Sequence, residues 1–123
     1  MALNKPKYSL FKNGGYAVEG LIEVIQNESS FKLQVLLFVV MSIAAWFLPI
    51  DFAYKAILQA SLFIPIMAEL TNSAVERTVD LVTKEYHILA KRAKDVGATL
   101  VLLSLIVTGF IWGAVLCLAF ELI

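Results

Sequence analysis

Two stretches of this chain contain no charged residue: residues 33–50, 18 long, and residues 96–120, 25 long. An uncharged, mainly apolar run of about 18 residues or more is a membrane-span candidate, because a helix needs roughly 20 residues to cross about 30 Å of hydrocarbon. A third run, residues 56–68, is uncharged for 13 residues before Glu69 interrupts it. Composition agrees, with 60% hydrophobic and 16% charged residues, against about a half and about a quarter in a soluble domain. The 123 residues therefore read as a single all-α integral membrane domain with three transmembrane helices. Ten Lys+Arg balance ten Asp+Glu, so no basic excess points to nucleic acid. The one cysteine, Cys117, excludes a disulfide framework and a Cys-based zinc site. The first apolar run follows about thirty polar or amphipathic residues and lacks a cleavage site behind it, so it is expected to be a retained span.

Ahead of the spans, Leu10, Phe11, Gly14, Ala17, Val18, Leu21, Ile22 and Ile25 recur with the helical period, leaving Lys12, Glu19, Glu23 and Gln26 on other faces. With Lys5 and Lys7 at its start and Tyr8, Phe11 and Tyr16 interleaved, residues 8–28 predict an amphipathic helix lying in the membrane interface. The helices containing the spans are expected at 30–48, 52–84 and 92–121. Pro49 closes the first, and Pro65 lies inside the second, where it removes one backbone hydrogen bond and crowds the Ser61 carbonyl. Gly109 and Gly113 form a GxxxG in the third, a pattern that allows close helix approach. Nine of the ten cations precede the first span or separate the second from the third, Lys55 being the exception. By the positive-inside rule the N-terminus and the long loop are cytoplasmic.

The second span is too short without the polar residues that follow it. Thirteen helical residues rise only about 20 Å, whereas Lys55 to Glu76 covers about 31 Å. Glu76 then reaches the interface, and Glu69 lies roughly 10 Å deeper. An acid inside a span costs at least about 2.5–3.5 kcal/mol on insertion scales, which makes Glu69 a candidate for general acid/base work. At about 100° per residue, Asn72, Ser73, Glu76 and Asp80 fall within roughly 60° of Glu69 around the helix. Glu76 and Asp80 suit a hard cation, with Glu28 a third candidate at similar depth. Magnesium is usually held by one or two carboxylates and completed by water and substrate phosphates. The following loop brings Lys84, Lys91, Arg92 and Lys94 close to this acidic cluster. That mixture fits a metal-phosphate ligand, with Lys94 on phosphate oxygens. No GxxxxGK[ST] and no protein-kinase signature is present, so a nucleotide would need a site of another kind.

Glu69-x-x-Asn72-Ser73-Ala74-Val75-Glu76, Val79-Asp80, Glu85-Tyr-His87 and Ala90-Lys-x-Ala-Lys94-Asp95 closely resemble the signature of the prokaryotic diacylglycerol kinases. The likeness extends to Gly15-Tyr16, Gly20-Leu21, Asn27-Glu28, Phe31 and Trp112, nearly the whole chain. It implies an ATP- and magnesium-dependent lipid kinase of the bacterial inner membrane, a homotrimer whose composite sites lie between subunits at the cytoplasmic interface. On that resemblance Glu69 is the base for the lipid hydroxyl, Asn72 orients it or polarises the transferred group, and Glu28 and Glu76 are the magnesium ligands. Tyr16, Glu28, Glu76, Asp80, Glu85, His87, Lys94 and Asp95 are the ATP contacts, and Gly15, Phe31, Glu69 and Trp112 meet the lipid. Ser9 stands where relatives often carry arginine, Ala98 where serine is frequent, and Lys55 where arginine is common. Undecaprenol kinases resemble the same Glu-x-x-Asn and Ala-Lys-Asp elements, and a small proton-coupled transporter is the alternative of a different class.

Overall fold

The computed structural model describes residues 9–123; Lys5, Lys7 and Tyr8, expected in the surface helix, lie outside the described residues. Four helices follow one another: α1 (Leu10–Asn27), α2 (Ser29–Phe47), α3 (Phe52–Val82) and α4 (Ile88–Ala119). Among the described residues there is no strand. The helices α2, α3 and α4 are each long and apolar enough to cross a membrane. With 31 residues, α3 is about 46 Å long at 1.5 Å per residue, well beyond the roughly 30 Å of hydrocarbon. Its last turns therefore carry polar side chains past the apolar layer without breaking the helix.

One extended residue, Glu28, separates α1 from α2. The amphipathic α1 buries only Val24 and leaves Leu10, Phe11, Val18 and Ile22 exposed, as a helix does that lays its apolar side on lipid. Pro49 follows the end of α2, where the Lys55 ammonium donates to the Trp46 carbonyl at 3.0 Å. A cation there satisfies one of the carbonyls that a helix end leaves open. Near this turn Ala45, Leu58 and Val115 form a buried cluster that joins α2, α3 and α4.

α4 begins at Ile88, four residues ahead of the expected start at 92, because His87 caps it. Its Nδ1 accepts the Leu89 N–H at 3.1 Å, one of the donors that a helix start leaves without a partner. The GxxxG is not a contact within the chain, since a Cβ added at Gly109 or Gly113 meets nothing within 4 Å.

Lipid tails are as apolar as leucine, so helices in a bilayer are held by packing and by polar contacts between them. Pro65 supplies the occasion for one. Lacking an N–H, it leaves the Ser61 carbonyl without its helical donor, and the buried Thr108 hydroxyl of α4 lies 3.3 Å from that oxygen and 2.9 Å from the Ser104 carbonyl. Trp112 adds a second link, its Nε1 donating to Ser61 Oγ at 3.0 Å. Ser61 thus fixes the register of α3 against α4 twice. Thr108→Val is expected to lower stability by about 1 kcal/mol, in the range of polar contacts between membrane helices. Combined with Pro65→Ala, which restores the backbone donor, the same change should cost measurably less. Thermal unfolding of the four proteins of this cycle in one detergent checks the coupling.

Candidate active site

The polar end of α3 faces two neighbours. Glu69, Ser73 and Arg77, spaced four apart, meet the corner between α1 and α2. Asn72, Glu76 and Asp80, also four apart, lie along the side that meets α4. Residues three and four apart share a helical face, and the two ladders differ only in which helix packs on each.

On the first ladder Glu69 is 7% exposed and accepts a hydrogen bond from Ser30 Oγ at 3.1 Å. Glu28 lies between two partners from α3. Ser73 Oγ donates to its Oε2, while Arg77 reaches its Oε1 through Nε at 3.0 Å and Nη2 at 2.8 Å. The remaining arm of Arg77 pairs with Glu23 of α1. Phe31, one residue beyond Ser30, is fully buried and anchors this start of α2.

On the second ladder Asn72 Nδ2 donates to Glu76 Oε1 at 3.3 Å, so the amide serves Glu76, and the hydrogen bond to Glu69 comes from Ser30. Asn72 Oδ1 is buried with no hydrogen-bond partner. It abuts Gly97 of α4, where an added Cβ would overlap that oxygen. Glycine at 97 is therefore what lets α4 close over Asn72. One turn beyond Glu76, Asp80 pairs with Lys94 at 2.7 Å.

Past the end of α3 opens a cleft of about 370 Å³, lined among others by Asp80, Lys84, Glu85, His87, Lys94 and Asp95. Five of the eight nucleotide candidates named from the sequence thus share one cavity, which Lys91 also lines. Lys91 is held by Asp95 at 2.6 Å. Tyr16, Glu28 and Glu76 do not line it. Tyr16 is half-buried and Gly15 exposed on α1, and Trp112 lies far along α4 among apolar side chains and Ser61. It helps to line a separate, largely apolar cavity of about 260 Å³ with Gln34, Phe38 and Pro65. Among the described residues no three His, Cys, Asp or Glu side chains form a ready metal cage.

Ser30, Gly97, Arg77 and Glu23 were not among the residues singled out from sequence. Gly97 left a signal there, an isolated glycine within an apolar helical run, which is usually a packing requirement. Ser30 left none, since a hydroxyl ahead of an apolar run is an ordinary helix start.

A family described as prokaryotic diacylglycerol kinase matches residues 15–116. The chain is 39% identical over 106 residues to a protein of Escherichia coli named diacylglycerol kinase, covering 84% of each. A protein of that name from Helicobacter pylori is 38% identical over 104 residues, 85% of this chain and 81% of its own length. Another from Pseudomonas aeruginosa is 35% identical over 102 residues, 83% of each.

Gly97→Ala should force α4 off Asn72 and lower stability by about 1–3 kcal/mol, the usual effect of overpacking. Adding Asn72→Ala removes the obstacle and should recover most of that loss. Thermal denaturation followed by circular dichroism measures both, and additive losses would mean that Asn72 is not what Gly97 accommodates.

Proposed function

Because the chain belongs to the prokaryotic diacylglycerol kinase family, we propose that it transfers the γ-phosphoryl group of ATP to the free hydroxyl of diacylglycerol, forming phosphatidic acid at the cytoplasmic face of the bacterial inner membrane. Membership makes it a lipid kinase. The observation that carries the rest is a juxtaposition along one helix. α3 bears a buried carboxylate, Glu69, held by Ser30. Beyond it, α3 ends in a cleft lined by Lys84, Lys91 and Lys94. A bilayer-dissolved alcohol meets the first, and a polyphosphate suits the second.

In phosphoryl transfer a protein mainly positions the reactants and neutralises developing charge. Glu69 accepts the proton of the lipid hydroxyl as that oxygen attacks the γ-phosphorus, and ADP leaves. Ser30 keeps one carboxylate oxygen fixed, so the other is aimed at the acceptor. Lys94, released from Asp80, pairs with phosphate oxygens; an exposed ion pair such as Lys94–Asp80 is weak enough to exchange. Glu85, His87 and Asp95 line the remainder of the nucleotide cleft, and Tyr16, on α1 and outside that lining, is the further nucleotide contact this family reading expects.

The donor set suits magnesium. Glu28 and Glu76 offer hard carboxylate oxygens, and the Asn72 amide steadies Glu76 through its Oε1. Two carboxylates with water and phosphates completing the shell is the usual protein share of such a site. Magnesium there would neutralise charge on the ATP phosphates. The assembly in this reading is a homotrimer with composite sites between subunits, and the N-terminus is cytoplasmic.

Glu69→Gln is expected to reduce turnover by about 10²–10⁴-fold, the range for a lost general base, while ATP binding persists. Glu76→Gln should abolish magnesium-ATP turnover in a chain that still folds. The decisive assay supplies diacylglycerol and undecaprenol side by side in lipid–detergent micelles, with and without magnesium. Preferential magnesium-dependent formation of phosphatidic acid is expected; a preference for undecaprenol would move the acceptor but leave the site. Full activity of Glu76→Gln would remove that residue from the metal site.

A further inference from the structure

Glu28, read above as a magnesium ligand, already has a cation on it. Both Nε and Nη2 of Arg77 point at Oε1, at 3.0 and 2.8 Å, and Ser73 donates to Oε2. A divalent cation bound about 2.1 Å from that oxygen would stand within roughly 5 Å of the guanidinium. Like charges at that separation, on an only partly exposed carboxylate, cannot both be accommodated without strong repulsion. One of them must go.

Arg77 has somewhere to go. Its Nη1 is on Glu23, a side chain on the last turns of α1 that is itself steadied by Asn27, whose Nδ2 donates to Glu23 Oε1 at 3.0 Å and to the Glu23 carbonyl at 2.9 Å. Giving up Glu28 leaves the guanidinium tethered to Glu23 beside the site, within reach of anionic groups that arrive there.

We propose that Arg77 is a placeholder cation: it neutralises Glu28 before loading and moves wholly onto Glu23 when a divalent cation takes that carboxylate. This rests on the reading of Glu28 as a metal ligand. Before loading, Arg77 acts through Glu28. Its presence makes a bare cation bind poorly, because evicting the guanidinium brings no compensating contact. A metal–nucleotide complex carries phosphate oxygens with which a freed guanidinium pairs well. Arg77 thereby favours the loaded nucleotide over the free metal.

The test is manganese binding without nucleotide, read from the electron paramagnetic resonance signal of free Mn²⁺, using the full chain in micelles. Arg77→Met keeps the apolar stem and removes the charge; it should bind Mn²⁺ about fivefold more tightly than wild type, the upper end of the ratio expected for a partly exposed pair. Arg77→Lys, which keeps charge but loses the two-nitrogen grip on one oxygen, should fall between them. A scaffold role for Arg77 predicts no such order. Manganese binding by Arg77→Met no tighter than by wild type overturns the proposal, as does an Arg77→Lys affinity outside the interval. Glu28→Gln separates this from the underlying reading: if it leaves Mn²⁺ affinity unchanged, Glu28 is not a ligand and the proposal falls with that assignment.

Discussion

A carboxylate at the edge of hydrocarbon needs a hydrogen-bond donor, and Glu69 takes its donor from another helix. Buried on α3, it is met by the Ser30 hydroxyl from the first turn of α2, so the start of α2 has to lie against the polar end of α3. The fully buried Phe31 holds it there, and the single extended residue Glu28 turns the chain immediately before it. From that turn Glu28 meets Ser73 and Arg77 one and two turns further along α3. The acid that makes the helix expensive to insert is thus the point about which the acidic corner is arranged.

The spans were legible because charge-free runs leave a chain few options in lipid, where only helices or closed barrels satisfy the backbone. Pro49 and the long reach of α3 were legible for the same reason. The polar residues of α3 could be placed on one side of the helix from the 3.6-residue period alone. What periodicity does not contain is the identity of the neighbour on each edge of that face. Glu69, Ser73 and Arg77 look towards α1 and α2, while Asn72 and Asp80 look towards α4, and this division exists only once the helices pack. Asn72 therefore bonds Glu76, although the spacing was equally compatible with Glu69. The start of α4 was hidden for a related reason. Its capping group is a histidine ring nitrogen, not one of the small oxygen side chains by which helix starts are usually recognised.

Among the described residues, three of the four ion pairs at this end of the molecule share a property. Lys94–Asp80, Lys91–Asp95 and Arg77–Glu23 all involve side chains more than a third exposed, and such pairs contribute little to stability. Held together by a fraction of what buried pairs require, they keep a strongly charged region near neutrality without fixing it. A site that must admit several phosphate charges needs cations that are close but not committed. The apolar half of the molecule is built on the opposite terms, with the buried Thr108 on the Ser61 carbonyl and the half-buried Trp112 on the Ser61 hydroxyl.

The three positions that the resemblance marks as departures, Ser9, Lys55 and Ala98, fall outside these contacts to different degrees. Lys55 bonds the Trp46 carbonyl at the end of α2, a task that needs a cationic donor and no particular head group, so lysine and arginine would serve alike. Ala98 is exposed beside Gly97; the close approach of α4 to Asn72 depends on the glycine, and the neighbouring side chain is free to vary. Ser9 precedes α1 and makes no side-chain capping bond, so any cation supplied there by an arginine is absent from this corner. Arg77 stands on the facing helix, engaged with both Glu23 and Glu28. The cation that balances the corner then comes from α3, while the two acids it meets come from α1 and from the residue that turns the chain into α2.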